Sequence, residues 1–364
     1  MLIAPQEFRG SLSADEAAAA IKAGIRAARP AWHLDVLPLS DGGPGFIDAL
    51  RRAVTADTSA EIVEDALGRK ILGRFAVVRG TRTAVVEAAQ ANGLYHLDPG
   101  ERDPLRADSF GVGQLITAAL ATSPPRLIIG LGGSATTDGG SGMARALGAR
   151  FIGEDGMPLP RGAAALADLA RIDWRRPAAF DGVEVIVASD VTNPLLGPDG
   201  CAAVYGPQKG ASPDQIDILE GALVRYAAVV KRSLGVDVAA IPGGGAAGGL
   251  GAGLVAFLGA RIRSGLAIVA EATNLRDRVA KADVVVTGEG SFDSQSLQGK
   301  ATGRLRDLSG EAGKPIVVFC GRTDLAEPDV ISLTALEPDR EASMRNASPL
   351  LETLAARWAA EQPD

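Results

Sequence analysis

Glycine is the residue that most restricts what this chain can become. It accounts for 45 of 364 positions, roughly twice its usual share. The glycines fall in short blocks beside apolar runs: Asp41-Gly42-Gly43, Gly130-Leu131-Gly132-Gly133, Asp138-Gly139-Gly140, Gly243-Gly244-Gly245, Gly248-Gly249-Leu250-Gly251 and Gly288-Glu289-Gly290. Low-complexity linkers would be long and polar instead. Glycine after a strand permits a tight turn and lets backbone N–H groups come close to a ligand, so the pattern predicts several loops converging on an anion. Helix caps and close packing in an Ala/Gly-rich chain are the plainer explanation for any single block.

The order of elements points to an α/β fold. Leu2 to Ala4 starts as a strand, and Ser13 with Glu16 forms a capping-box signature for an alanine-rich helix ending near Pro30. A strand from Leu34 to Leu39 and a helix from about Gly45 to Ala53 follow. This β-loop-α-β-loop-α start predicts a parallel sheet with its working loops at the carboxyl ends of the strands. Between Glu61 and Glu87 short β-like runs separated by Gly68, Gly73 and Gly80 read as hairpins. Helices are expected at Gly113–Thr122, Asp138–Gly148, Pro213–Leu234, Gly251–Leu258 and Glu341–Ala360, and strands at Arg126–Gly130, Glu184–Ala188, Asp283–Thr287 and Pro315–Phe319. The expected organisation is a parallel-sheet domain built from residues 1–60 and 283–364, with residues 61–282 inserted as a second α/β domain carrying the Gly-rich loops.

Several function classes are excluded by charge and composition. Thirty-seven Lys+Arg against 44 Asp+Glu leave a formal charge of -7, without the basic footprint of a nucleic-acid binder. Two cysteines, Cys201 and Cys320, give neither a disulfide framework nor a zinc spacing, and two histidines, His33 and His96, argue against a His-based metal centre. No apolar run is long enough for a membrane span and no signal peptide is visible, so a cytoplasmic location is expected. The apolar face of the last helix could pack inside the chain or across a homodimer.

Five acidic residues, Asp41, Asp138, Asp190, Glu289 and Asp293, stand at the ends of expected strands beside glycines or small residues. Carboxylates there can hold Mg2+, accept a proton from an attacking hydroxyl or bond a sugar-like hydroxyl. Capping is the commoner role for a lone Asp after a strand, and it is the one expected of Asp138. Lys209, in Tyr205-Gly206-Pro207-Gln208-Lys209-Gly210, and Lys300, in Gly299-Lys300, are cations that could reach a phosphate from a polar loop. No Walker A spacing exists in the chain. Gly248 to Gly253 resembles a dinucleotide loop but has no strand expected before it, which leaves a nicotinamide-dependent oxidoreductase poorly supported. A Ser-His-Asp hydrolase lacks its G-x-S-x-G elbow. Gly-rich loops, scattered carboxylates and one or two lysines fit phosphoryl transfer, whose barrier falls mainly through positioning and charge neutralisation.

Longer motifs then narrow the reading: Gly132-Gly133-Ser134-Ala135-Thr136-Thr137-Asp138-Gly139-Gly140, Asp190-Val191-Thr192-Asn193-Pro194-Leu195, Gly206-Pro207-Gln208-Lys209-Gly210-Ala211, Gly244-Gly245-Ala246-Ala247-Gly248-Gly249-Leu250-Gly251 and Thr287-Gly288-Glu289-Gly290. Through them the chain resembles the bacterial ATP-dependent glycerate kinases, from residue 3 to about residue 358. The resemblance implies a Rossmann- or flavodoxin-like domain made from both chain ends with a second α/β domain inserted. It also implies transfer of the ATP γ-phosphate to glycerate with Mg2+, typically giving the 2-phosphate.

The departures from the family pattern concentrate near the chain ends. The family opening A-P-D-S-F-K-G-S is here Ala4-Pro5-Gln6-Glu7-Phe8-Arg9-Gly10-Ser11, A-D-G-G-E-G is Ser40-Asp41-Gly42-Gly43-Pro44-Gly45, and G-E-G-R-L-D is Gly288-Glu289-Gly290-Ser291-Phe292-Asp293. The last change removes an arginine suited to a substrate carboxylate. The stretch between Gly321 and Ser332 is also shorter than usual. On the kinase reading Asp190 is the leading general base, with Asp293 and Asp41 as alternatives, and Asp190 and Asp293 as the Mg2+-associated carboxylates. Arg9 and Lys209 would neutralise substrate charge, and Ser11, Asn193, Glu289 and Ser291 would contact the acceptor. Gly132, Gly133, Ser134, Gly248, Gly249 and Lys300 would meet the phosphates of ATP. A second reading, of a different class, is a non-catalytic relative that binds nucleotide or a small acid as a regulator.

Overall fold

The computed structural model describes residues 1–297 and 301–363. In chain order its strands are β1 (Leu2–Ile3), β2 (Asp35–Val36), β3 (Ala56–Glu64), β4 (Lys70–Val78), β5 (Ala84–Glu87), β6 (Arg126–Gly130), β7 (Arg150–Gly153), β8 (Leu169–Asp173), β9 (Glu184–Ala188), β10 (Arg261–Arg263), β11 (Val285–Phe292), β12 (Ile316–Thr323) and β13 (Val330–Ser332). The chain forms two compact units. The first takes Met1–Asp41, Asp48–Val54 and the chain from Leu266 onward; the second takes Gly42–Ile47 and Thr55–Gly265. Residues 266–282, grouped with the insert on sequence grounds, pack with the chain ends.

The first unit holds a sheet of order β13-β12-β11-β1-β2 in which every neighbouring pair is parallel. Its core is Ile3, Val286, Val317 and Phe319 from the strands, against Ile21, Ile25, Leu351 and Leu354 from helices Ala14–Ala28 and Ala347–Glu361. The first helix starts where its capping box requires: Ser13 Oγ accepts from Glu16 N at 3.2 Å, and the Glu16 carboxylate accepts from Ser13 N at 2.8 Å. β2 is shorter than Leu34–Leu39, although Leu37 N and Leu39 N still donate to Ile3 O and Pro5 O. The expected single C-terminal helix is broken at Asn346, whose φ of -107° and ψ of 22° leave the helical region, giving Arg340–Arg345 and Ala347–Glu361.

The second unit holds a sheet of order β10-β9-β6-β5-β4-β3. Strands β10, β9, β6 and β5 are mutually parallel, and β5, β4 and β3 continue as the expected antiparallel hairpins. Arg126–Gly130, Glu184–Ala188 and Pro213–Leu234 form where the apolar patterning places them. The β7–β8 hairpin was not expected. Edge strand β3 is exposed from Asp57 to Ile62, and Ile62 stands in register with Leu72, the two 70% and 64% exposed. The segment Ala246–Leu258 has positive φ at Ala247, Gly248 and Gly249, so regular helix starts only after them, close to the expected Gly251. No strand leads into it, which removes the dinucleotide-loop reading. Among the described residues no helix is long and apolar enough to cross a membrane.

The two main helices of the first unit touch backbone to backbone at Gly24, where a Cβ would fall 2.1 Å from Glu352 O. Gly24→Ala should therefore destabilise the protein by about 1–3 kcal/mol, although alanine in a free helix gains about 1 kcal/mol over glycine. Urea unfolding checks this, and an unchanged or raised midpoint would contradict the contact.

Candidate active site

In the second unit the four parallel strands end in one row. Glu87, Gly130, Ala188 and Arg263 are cross-strand partners, so the chain leaves β5, β6, β9 and β10 at the same level. Open parallel sheets place ligand chemistry at this edge. The departing loops are tied together: Ala88 N donates to Gly130 O at 3.0 Å, Leu131 N to Ala188 O at 2.9 Å, and Ser189 N to Arg263 O at 3.0 Å. Residues 42–45 press on them from above. A Cβ on Gly42 would meet Ala188 O at 2.2 Å, one on Gly132 the Gly43 Cα at 2.5 Å, and one on Gly133 the Pro44 ring at 2.8 Å. Two glycine blocks thus meet, and Gly42 and Gly132 have main chain, and Gly133 the Pro44 ring, where a side chain would go. Asp190, half-buried, follows β9 by two residues, and Gly132, Gly133 and the nearly buried Ser134 follow β6. The loop is steadied by Leu94 N donating to Gly133 O at 2.7 Å.

Glu87 belongs to this row and sequence reasoning missed it. It is 1% exposed, its Oε2 accepts from Ile47 N at 3.3 Å, and its Oε1 accepts from Gln90 Nε2 at 3.3 Å. The available signal was a carboxylate as the last residue of an apolar strand, overlooked because residues 61–87 were read only as hairpins.

A second convergence lies behind this edge. Gly248 and Gly249 are buried: a Cβ on Gly248 would fall 1.9 Å from Thr136 O, and one on Gly249 would fall 2.8 Å from Gly139 Cα. Gly249 N donates to Gly245 O at 3.2 Å, and Gly248 O accepts from Gly139 N at 3.0 Å. These glycines lace loop 136–140 to loop 243–249, the packing role rather than that of an open phosphate nest. Asn193 is held in the same way: its Nδ2 donates to Asp199 O at 2.8 Å, its Oδ1 accepts from Tyr205 OH at 2.7 Å, and its carbonyl accepts from Gly245 N at 3.0 Å.

Asp138 and Lys209 sit in this interior. Asp138 is fully buried and accepts from Ser109 N at 3.0 Å, Ser109 Oγ at 2.9 Å, Gly140 N at 3.2 Å and Gly142 N at 2.8 Å, the capping role expected of it. Burial raises its pKa, with Asp108 adding to the shift and the backbone donors opposing it. Lys209 is 2% exposed, not a lysine on a polar loop. Its ammonium donates to Thr136 O at 2.5 Å and Thr137 Oγ1 at 3.3 Å, and desolvation pulls its pKa down to about 8, with Cys201 and Asp138 partly offsetting that.

The first unit has its own carboxyl edge. After β1, Gln6 N donates to Gly288 O at 2.8 Å and the Phe8 side chain is buried. Glu7 and Arg9, on either side of Phe8, therefore project outward together. They form an ion pair at 3.6 Å. Burial raises the Glu7 pKa, Arg9 lowers it, and the nearby Asp41 carboxylate raises it further. Ser11 Oγ donates to Phe8 O at 2.9 Å and closes this turn. On β11 Glu289 is buried and Ser291 half-buried. Asp293 caps the short helix Ser294–Leu297, its Oδ1 accepting from Ser296 N at 3.1 Å. Arg9, Ser11, Asp41, Glu289, Ser291 and Asp293 thus share the first unit, whereas Asp190, Asn193, Lys209 and the glycine loops share the second. Lys300 lies outside the described residues.

A five-stranded parallel sheet assembled from both chain ends, with a mixed sheet inserted between them, defines an α/β protein of the kind that binds ligands at strand ends. The glycerate kinase family model matches residues 1–361, and the chain belongs to that family. It is 40% identical to a glycerate kinase of Halalkalibacterium halodurans over 88% of this chain and 85% of that one. It is 41% identical to a glycerate 2-kinase of Escherichia coli over 88% of this chain and 84% of the other. A Salmonella typhimurium crystal structure described as glycerate kinase 2 superposes with a TM-score of 0.78 at 40% identity, covering 99% of this chain and 96% of its own.

The site makes Lys209 testable. Lys209→Met leaves buried Thr136 O without its donor and should cost about 1–3 kcal/mol at pH 7.5. Between a folded pKa of about 8 and the ordinary value of 10.5, the unfolded chain holds a proton on this residue that the folded chain has released. The stability that Lys209 contributes therefore rises with pH through that window. Urea unfolding of both proteins at pH 7.5 and 9.5 should show the gap widening; a gap that narrows would contradict the buried position.

Proposed function

We propose that this protein is an ATP-dependent kinase that transfers the γ-phosphoryl group to a hydroxyl of glycerate, with the 2-phosphate as product. The observation that carries the reading is the in-register row at the carboxyl edge of β5, β6, β9 and β10, where Asp190 stands beside the converged glycine loops. The name of the Escherichia coli relative supports the 2-phosphate.

In this reading the acceptor hydroxyl gives its proton to the Asp190 carboxylate as its oxygen bonds to the γ-phosphorus and ADP leaves. Main-chain N–H groups around Gly132, Gly133 and Ser134 orient the phosphates. Loop 42–45, packed onto them, limits their motion so that little reorganisation is needed when charge develops. Lys209 acts from inside by holding the Thr136 carbonyl. Among the described residues no three His, Cys, Asp or Glu side chains cluster as a ready metal cage. Mg2+ is commonly held by one or two carboxylates together with phosphate oxygens. Asp190 is the carboxylate of the second unit that would hold it, and the ion would supply neutralisation of phosphate charge.

Asp190→Asn should lower kcat for glycerate phosphorylation by about 100-fold or more with the fold intact by circular dichroism, as loss of a general base does. Unchanged turnover would remove Asp190 from the role. The regulatory alternative predicts tight glycerate or ATP binding by calorimetry with no ADP formed under any acceptor.

A further inference from the structure

Arg102 is a half-buried arginine of the second unit that has no acidic partner among the described residues. The carboxylates on either side of it in the chain are engaged elsewhere, Glu101 with Arg69 at 2.8 Å and Asp103 with Arg106 at 3.9 Å. Its one hydrogen bond among the described residues runs from Nη1 to Gln208 O at 3.2 Å. Its Nε is buried and makes none. A buried donor left unmet destabilises the free protein, and an anion arriving beside it would satisfy it. With Nη1 taken, Nε and Nη2 remain. They form the edge of the guanidinium fork that pairs side-on with two oxygens of a carboxylate or a phosphate.

The side chain stands beside the loops of the candidate site. It crosses Gly210, where φ is +92° and an added Cβ would fall 3.2 Å from Arg102 Cβ, so the motif Gly206-Pro207-Gln208-Lys209-Gly210 ends in a glycine that makes room for it. Lys209, between Gln208 and Gly210, reaches from the same loop to Thr136 O and Thr137 Oγ1. Leu97 and Ala107, which bracket Arg102 in the chain, share a small apolar core with Ala135, the residue after Ser134. The loop that carries Arg102 and the loop that Arg102 touches thus both pack on the continuation of the Gly132–Ser134 turn, all within the second unit.

We propose that Arg102 binds an oxyanion of one of the reaction's ligands, the carboxylate of the acceptor or a phosphate of the nucleotide, beside the glycine turn. The inference rests on the kinase reading for the identity of these ligands. Arg102→Met keeps the stem and removes the charge. Calorimetric titration of the full-length variant with glycerate and, separately, with Mg-ATP should show one affinity reduced about tenfold or more, the usual loss for a charge-assisted pair, and the other unchanged. Loss for glycerate assigns the carboxylate, and loss for Mg-ATP assigns the phosphate. Arg102→Lys, with the charge but not the fork, should recover only part. The urea midpoint of Arg102→Met should not fall below that of the wild type, because an unmet donor is removed and the exposed Gln208 carbonyl can turn to water; an arginine kept for structure would lower it. Unchanged affinity for both ligands overturns the proposal, as does equal weakening of both. A variant too unstable to titrate overturns it as well, since the fold would then require this arginine without any ligand. If Arg102→Met loses one ligand but the wild type never forms ADP, the kinase reading falls and this inference stands; normal turnover with a silent Arg102→Met does the reverse. Should the wild type bind neither ligand, inorganic pyrophosphate becomes the probe: about tenfold weaker binding to Arg102→Met sustains the site, and no binding or no difference removes it.

Discussion

Main chain pressed directly on main chain is the constraint on which this structure depends. At Gly42, Gly132, Gly248 and Gly321 an added Cβ would come within 2.5 Å of a backbone atom on another segment. Such approaches let loops from distant parts of the sequence satisfy one another's polar groups without intervening side chains, as in the pairs Leu131 N to Ala188 O and Gly139 N to Gly248 O. The entropic cost of ordering so many glycines is offset by the backbone hydrogen bonds and close contacts that only these approaches allow. Stiffness of this kind suits loops that present donors to an anion, because donors that must reorganise lose much of their electrostatic advantage.

Asp138 and Lys209 extend the same logic into the interior. Each is a charge whose burial works against ionisation, and hydrophobic residues of similar volume are often as stable or more so in such positions. What the pair provides is directionality. Asp138 gathers donors from Ser109, Gly140 and Gly142, and Lys209 fixes the Thr136 carbonyl. One arrangement of loop 136–142 meets both demands, and that loop continues directly from the Gly132–Ser134 turn.

Much of the fold could be read from the residues because its strands are apolar runs of the buried parallel kind, and β6, β9 and the helix Pro213–Leu234 lie where periodicity and capping residues put them. Boundaries failed where tertiary contacts outweigh local pattern. β2 keeps only two residues although its hydrogen bonds run on past it, and Asn346 splits the last helix. The convergence of the glycine loops was legible as an expectation; which glycines would serve packing was not, since that depends on what faces them across space. Lys209 was misplaced for the same reason: a lysine between glycines looks solvated until the Thr136 carbonyl is seen to receive it. Glu87 carried a signal, a carboxylate ending an apolar strand, but its place in the row comes from cross-strand register with Gly130, and register is a property of two strands that one sequence segment does not carry.

The long rim formed by β3 has a consequence for how copies of this molecule behave in a crowded solution. A ribbon with an apolar Ile62–Leu72 pair on display is a template for stacking. Asp57 is neutralised by Arg79, but Glu61 is exposed and no lysine or arginine lies on β3 itself. Two such rims brought side by side in register at that residue would set Glu61 against Glu61, a charge that opposes fibre-like self-addition while the backbone stays open.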